Sequence, residues 1–383
     1  MDSSFVHRSN LLCALAVWGG VALAASEARG QSSDELASMS GPELYAAACA
    51  GCHGPDGRGL DRALVAFEEP LPDFTDCDFA SREPDADWIA IAHQGGPVRG
   101  FSQMMPSFAA ALTVDQLARV ITHIRGFCGE PSWPRGELNL PRALLTEKAF
   151  PEDEWVIESD ADLGDQGSVS GEFVWEQRFG PRSQFEVAIP YGWVQLPDAS
   201  GSPGATRWAS GLGDLVIGVK HAAYHDHAAG RIFAVGAEVV LPTGDEAKGL
   251  GADGAKTEGF LSFGQIIASD AFLQAQAGAE VPFYDGGEKE GFGRLVLGRT
   301  FVSGEWGRSW TPMVEVQAKR ELEGGVPTAV DIVPQLQVSL NTRQHVLASV
   351  GLLVPATETD IRSVRLLAYL LLDWYDGGFF EGW

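Results

Sequence analysis

The feature that most constrains this chain is an alternation of apolar and polar side chains, which recurs from about residue 150 to the C-terminus. In one segment, apolar residues at 273, 275, 277, 279 and 281 alternate with Gln274, Gln276, Gly278 and Glu280. A period of two residues is typical of β-strands with one apolar face. About twelve such segments begin near residues 154, 171, 183, 211, 231, 257, 271, 291, 309, 328, 344 and 362.

The connections between these segments separate a membrane barrel from a soluble β-domain, which shows the same period. Short turns near 180–182, 225–227, 269–270 and 341–343 interleave with longer loops at 197–210, 243–257, 285–290, 323–327 and 356–362. This alternation over an even strand count is typical of antiparallel outer-membrane barrels, in which aromatic residues mark the membrane interfaces. We therefore predict a lipid-contacting β-barrel over residues 151–383, with interfacial tryptophans at Trp193, Trp208, Trp306, Trp310 and Trp374.

The N-terminus and the charge place the chain among exported proteins. Residues 11–25 form an apolar run that is too short to span a membrane as a helix. His7 and Arg8 precede this run and small residues end it, which predicts a signal peptide over residues 1–25. Acids outnumber bases 52 to 27, and the net charge of -25 argues against nucleic acid as a partner.

Residues 49–53 read Cys-Ala-Gly-Cys-His, the spacing that attaches a c-type haem. The thiols of Cys49 and Cys52 add to the two vinyl groups, while His53 coordinates the iron. A redox dithiol does not need His53, and the sequence has no second Cys-x-x-Cys to complete a zinc site. We therefore predict one haem c as the cofactor.

The segment 101–108, Phe-Ser-Gln-Met-Met-Pro-Ser-Phe, is the candidate source of the second iron ligand. Together with residues 49–53, the glycine-rich loop 54–59 and an amphipathic helix expected at 113–121, it resembles class I cytochromes c. The resemblance implies a small all-α domain over residues 26–130 and ligation by Met105, with Met104 and then His93 as alternatives. A thioether opposite an imidazole raises the reduction potential and suits electron transfer.

Cys77 and Cys128 are not needed for haem attachment. In an oxidising compartment we expect them to form a disulfide, although two buried thiols are the alternative. Tryptophan, proline and glycine residues after position 132 mark a linker over residues 131–150.

Eight carboxylates lie between residues 68 and 87 of the predicted haem domain. A solvated loop is one interpretation. The other is a docking face for a periplasmic redox protein with a basic surface. Arg99 and Trp88 are candidates for contacts with haem propionates. The eight acids are Glu68, Glu69, Asp73, Asp76, Asp78, Glu83, Asp85 and Asp87.

The barrel half carries two motifs, at residues 211–215 and 241–245, that are similar to a family of outer-membrane transporters. The whole arrangement resembles the fused cytochrome–porins that oxidise extracellular iron. A twelve-stranded barrel is too narrow to admit a domain of about 13 Å radius of gyration, which argues against that role.

We therefore predict an electron carrier rather than an enzyme, anchored in the outer membrane with its haem domain on the periplasmic side. The alternative is a porin or transporter of a small solute, in which the haem domain acts as a redox sensor or gate.

Overall fold

The computed structural model describes residues 33–164, 167–197, 206–323 and 325–373. The predicted signal peptide and Trp374 lie outside the described residues. Residues up to Met39 form a unit of their own, whose described part includes helix α1, Ser33–Ser38. The remaining elements all belong to the unit that begins at Ser40.

A small helical domain comes first, as the sequence predicts. Its helices are α2 (Gly41–Ala48), α3 (Ala50–His53), α4 (Cys77–Arg82), α5 (Asp85–Gln94) and α6 (Val114–Arg125). Single 3-10 turns at Arg62–Leu64 and Gly96–Arg99 lie between them. Capping boxes, Ser40 with Glu43 and Thr113 with Gln116, fix the starts of α2 and α6 by satisfying free backbone N–H groups.

The core of this domain lies where α2 meets α6. Leu44 and Tyr45 of α2 are 1% exposed, as is Leu117 of α6. The helices approach so closely at Gly41 that a Cβ there would lie 2.3 Å from the carbonyl oxygen of Arg119. Glycine at position 41 therefore permits the crossing.

Fourteen β-segments follow the helical domain in the described residues. They are β1 (Glu154–Asp162), β2 (Val169–Phe179), β3 (Ser183–Pro197), β4 (Thr206–Leu212), β5 (Leu215–Asp226), β6 (Arg231–Leu241), β7 (Lys256–Ala268), β8 (Ala271–Pro282), β9 (Glu290–Arg299), β10 (Phe301–Val302), β11 (Ser309–Glu321), β12 (Ala329–Ser339), β13 (Val346–Pro355) and β14 (Arg365–Asp373).

These segments form one closed antiparallel sheet. β4 and β5 pair with successive parts of β3, and β9 and β10 both pair with β11, so each of these two pairs forms one spanning strand. β14 pairs with β1 from Asp373 opposite Glu154 to Arg365 opposite Asp162, which closes the sheet. The result is a barrel of twelve spanning strands, and the predicted fold class is confirmed.

The two faces of the barrel differ as the alternation predicts. Outward residues of β11 and β12, such as Val314 and Leu336, are apolar and exposed, whereas Glu315 and Gln337 point inward and are buried. An apolar exterior around a polar lumen is the signature of a barrel in lipid. Arg299 does not disturb the register, because it lies at the end of β9 and pairs with Asp270 at 2.7 Å.

The helical domain contacts the barrel at the end that carries the short turns. Arg99 donates to the Trp306 carbonyl at 2.7 Å, and His345 lies 2.7 Å from Glu83. The guanidinium of Arg343 lies over the ring of Phe101. Trp306, expected among the interfacial tryptophans, therefore belongs to the contact between the two domains instead.

The expected linker does not run along the surface. We call residues 133–153 the plug segment, because the part of it from residue 138 to residue 150 packs against inward-facing residues of the barrel, while its first residues contact the helical domain. Leu138 and Phe150 of this segment are 1% exposed and pack against Ile232 of β6. Leu144 joins a second cluster with Val174 and Leu371, on β2 and β14. The plug segment thus completes apolar clusters with inward-facing residues of the strands, beside the polar side chains of the lumen.

Candidate haem site

The Cys-x-x-Cys-His turn follows directly from the end of α2. Cys49 ends α2 and begins α3, and the His53 amide donates to the Cys49 carbonyl at 3.0 Å. Gly54 then has a φ of +73°, a left-handed conformation that favours glycine. The chain doubles back so that the Gly59 amide donates to the His53 carbonyl at 2.9 Å.

His53 has the environment of an unsatisfied ligand. Its ring stacks on Phe74 with centroids 5.0 Å apart, and Nδ1 is buried without a hydrogen-bond partner among the described residues. Burial lowers the pKa of His53, so the imidazole is neutral near pH 7 and can coordinate a metal. A buried polar atom without a partner is costly unless a bound group satisfies the ring.

The four cysteines in the described part of the chain form two pairs. Cys77 and Cys128 are joined by a disulfide, with their Cα atoms 5.1 Å apart, while Cys49 and Cys52 are free. Cys52 is exposed. Burial, with a smaller contribution from Cys52, raises the pKa of the Cys49 thiol to about 11. Cys13 lies outside the described residues. The two free thiols next to the unsatisfied imidazole therefore fit a covalently bound haem c.

The methionine loop rests on the end of α5. The Gly96 amide donates to the Met105 carbonyl at 3.0 Å, and Ser107 donates from its hydroxyl to the His93 carbonyl at 2.6 Å. Met105 is half-buried, while Met104 is 49% exposed. The ring of His93 packs against Trp306 of the barrel instead.

Arg99 and Trp88 have other partners than the expected propionates. Arg99 is 6% exposed and pairs with Asp87 at 2.7 Å. Trp88 packs on Phe74, and the guanidinium of Arg125 lies 4.0 Å above its ring. Trp88 therefore packs within the helical domain, and Arg99 also joins that domain to the barrel through the Trp306 carbonyl.

Five of the eight carboxylates between residues 68 and 87 form ion pairs within the chain, and Glu69 accepts a hydrogen bond from Ser102 at 2.9 Å. Asp73 lies 3.5 Å from Arg58, and a hydrogen bond from Thr75 is the main cause that lowers the pKa of Asp73. The run is therefore not one free acidic face, and its fully exposed members are Glu68, Glu69 and Asp76. The other internal pairs are Asp78 with Arg82, Glu83 with His345, Asp85 with Arg125 and Arg135, and Asp87 with Arg99.

Inside the barrel, side chains of the strands bind the main chain of the plug segment. Gln335 accepts a hydrogen bond from the Leu144 amide at 3.0 Å, and Gln276 accepts one from the Glu147 amide at 3.1 Å. Gln274 donates to the Pro141 carbonyl at 2.8 Å. The polar lumen residues thus replace the water that the plug segment would otherwise bind.

Ion pairs complete this attachment. Arg142 is 8% exposed and lies 2.9 Å from Glu154, 3.1 Å from Glu158 and 3.1 Å from Glu176. Lys148 lies 2.6 Å from Glu152 and 3.3 Å from Glu154. The sequence analysis missed these residues, because a charge in a presumed linker gives no sign of its partners.

Comparison with known proteins identifies the first domain. Residues 37–124 match the family described as cytochrome C oxidase, cbb3-type, subunit III. The helical domain is a c-type cytochrome domain. The family described as Putative MetA-pathway of phenol degradation matches residues 165–262, which lie in the barrel. The chain is thus a cytochrome domain fused to an outer-membrane barrel, and the cytochrome family implies haem c.

Solved outer-membrane proteins resemble the barrel at low sequence identity. An outer membrane channel from Pseudomonas putida F1 is 11% identical with a TM-score of 0.41, covering 61% of this chain and 98% of the channel. The KdgM porin is 9% identical with a TM-score of 0.38, and the NanC porin 8% with 0.39; each covers 57% of this chain and 98% of the porin. No curated protein matches the chain. Among the described residues, no helix has both the length and the apolar character that crossing a membrane requires.

Proposed function

We propose that the protein carries electrons on a single haem c, held in a cytochrome domain that the barrel anchors in the outer membrane. The observation that carries this proposal is the pair of free thiols, Cys49 and Cys52, beside the unsatisfied ring of His53. When bound, the haem supplies reversible one-electron exchange at its iron. The chain's own part would be to hold the haem covalently through Cys49 and Cys52 and to supply His53 and Met105 as ligands of its iron.

We assign the axial ligands as His53 and Met105. The half-burial of Met105 supports it over the exposed Met104, because a ligand must face the interior of the haem crevice. Two protein ligands leave no position for substrate, which favours electron transfer over chemistry on a bound molecule.

Covalent attachment is tested on denaturing gels. The full-length protein is expected to show haem-dependent peroxidase staining. The double substitution Cys49→Ala with Cys52→Ala should abolish it, whereas Met104→Ala should preserve it. Haem that is lost from the wild-type protein on denaturation contradicts the assignment.

The ligand assignment has its own test. We expect Met105→Ala to remove the near-infrared sulfur-to-iron charge-transfer band and to lower the reduction potential. Met104→Ala is the matched control and should leave both unchanged. The opposite pattern would transfer the ligand role to Met104.

We place the cytochrome domain on the periplasmic side. The support is that the domain packs against the short-turn end of the barrel, and short turns of outer-membrane barrels are periplasmic. Protease added to intact cells should therefore leave the domain whole, and should cleave it after the outer membrane is permeabilised. Cleavage in intact cells contradicts this orientation.

The partner is a periplasmic redox protein with a basic face. The exposed carboxylates Glu68 and Glu69 support this choice, since complementary charge steers a fast, salt-sensitive encounter. Reversing both to lysine should slow reduction by a basic cytochrome and reduce the salt dependence. Reversing Asp285 and Glu288, which are exposed on a long loop of the barrel, changes the net charge equally and should leave the rate unaltered. If the haem is reduced at the same rate in the Glu68/Glu69 variant and in the Asp285/Glu288 variant, the docking face is rejected.

The plug segment favours an anchor over an open pore. Its residues meet side chains from most of the strands, and Leu144 alone packs with Val174, Leu353 and Leu371. Liposomes that contain the wild-type protein should therefore exclude small sugars. Rapid swelling in such sugars would favour the transport alternative.

A further inference from the structure

A partly open space remains in the lumen beyond the plug segment. A cavity of about 460 Å³ lies between that segment and the long loop 242–255, at the end of the barrel away from the cytochrome domain. Leu144 and Leu145 form its floor, and Leu250 of the loop contributes to its roof. A volume of a few hundred cubic ångströms, bounded on several sides, is typical of small-molecule sites.

The roof is built from the two motifs that the sequence analysis singled out at residues 211–215 and 241–245. Asp214 accepts hydrogen bonds from the Gly244 amide at 2.8 Å and the Ala252 amide at 2.7 Å, which draws the loop inward. Leu250 then packs on Gly192 and on Gly211, where a Cβ would approach its side chain to 2.9 and 3.0 Å. The loop is therefore fixed over the lumen by specific contacts.

One wall of the cavity carries three carboxylates. Asp160 has an arginine of its own, whereas Glu158 shares Arg142 with Glu154 and Glu176. Glu158 lies 3.1 Å from Arg142, and Asp160 lies 2.7 Å from Arg365. Glu172 is directly opposite Glu158 on the neighbouring strand. It is half-buried and forms no hydrogen bond or ion pair with any described residue. The cavity thus carries more carboxylates than cations, and Glu172 is the carboxylate of this wall without an ion pair among the described residues.

We propose that this cavity binds a small organic amine with an apolar body. The ammonium group would pair with Glu172, and the apolar part would lie against Leu144, Leu145 and Leu250. A bare metal ion fits less well, because the space is much larger than one ion and its floor is apolar. An anion is disfavoured by the unpaired carboxylate.

The test uses the detergent-solubilised holoprotein and benzylamine as the probe, followed by isothermal titration calorimetry. We expect saturable binding of benzylamine and none of benzyl alcohol or benzoate, which share its ring. Glu172→Gln should weaken binding at least about tenfold, since a charge-assisted hydrogen bond is lost. Glu258→Gln is the matched control, because Glu258 is another lumen carboxylate that forms no ion pair with a described residue, and it lies outside the cavity lining.

Each other outcome overturns the proposal. These outcomes are no heat with benzylamine, equal loss of affinity in Glu172→Gln and Glu258→Gln, binding of benzyl alcohol as tight as that of benzylamine, and displacement of benzylamine by magnesium chloride at equal ionic strength. Leu250→Ala gives a second, charge-neutral test, because removal of the roof side chain should also weaken binding. Heat-modifiable gel mobility shows that each variant is folded.

Discussion

Replacement of Arg142 by alanine tests whether the plug segment is held by charge. Arg142 bridges Glu154, Glu158 and Glu176 at 2.9 to 3.1 Å, and it is 8% exposed. Its carbonyl also accepts a hydrogen bond from Tyr369 at 2.8 Å, which the substitution leaves in place. Arg142→Ala therefore removes the cation that three carboxylates share, and only Glu154 keeps another partner, Lys148.

The size of the effect follows from the burial of this network. Removing one partner of a buried ion pair costs about 3–5 kcal/mol, because the remaining charge is left uncompensated. That free energy penalises the seated plug segment but not a displaced one, in which water can solvate the carboxylates. The displaced population should therefore rise at least about 100-fold.

Single-channel recording in planar bilayers measures this population. The wild-type protein should be closed, and Arg142→Ala should show frequent openings. Arg362→Ala is the control, because Arg362 pairs with Asp331 on β12, at 2.6 Å, rather than with the plug segment. Silent Arg142→Ala channels, or equal conductance in the control, would refute the view that ion pairs keep the plug segment seated.

Three further predictions concern the cytochrome domain and its attachment. Leu117→Ala should lower the unfolding free energy of the domain by about 2–5 kcal/mol, measured by denaturant titration of the haem absorbance, since Leu117 is 1% exposed. Gly136→Ala would place a Cβ 2.2 Å from the Arg82 carbonyl oxygen, which should loosen the contact between the cytochrome domain and the plug segment. Limited proteolysis should then cleave faster between the domain and the barrel. An unchanged cleavage pattern contradicts that contact. In haem-free protein at pH 8, iodoacetamide should label the exposed Cys52 before Cys49, because the pKa of the Cys49 thiol is raised to about 11. Labelling of Cys49 should become faster as the pH rises towards that value. Mass spectrometry of the labelled peptide measures the extent of modification at each cysteine.

The strands could be predicted from the sequence because lipid imposes a strict pattern on them. Every outward side chain must be apolar, so the alternation in residues such as Leu336 and Gln337 locates the strands and their faces. The alternation of short turns and long loops between these segments then indicated an even number of spanning strands. The haem motif was equally readable, because its chemistry fixes the spacing of Cys49, Cys52 and His53.

The plug segment could not be predicted for a related reason. A lumen residue such as Gln276 or Gln335 is polar whether it faces water or a peptide amide, so the pattern does not report what fills the barrel. The ion pairs of the acidic residues between positions 68 and 87 could not be predicted from the sequence either. Composition counts Glu83 as negative, but only the fold brings it within 2.7 Å of His345.

The contacts of the plug segment with both edges of the sheet impose an order on assembly. Arg142 pairs with Glu154 on the first strand, and its carbonyl binds Tyr369 on the last strand. These two strands form the seam that closes the barrel. The plug segment is covalently joined to the first strand and hydrogen-bonded to the last. It is therefore enclosed when these two strands pair, so the lumen is filled as the barrel is completed. We therefore expect the lumen to be filled in the same step that pairs the first and last strands.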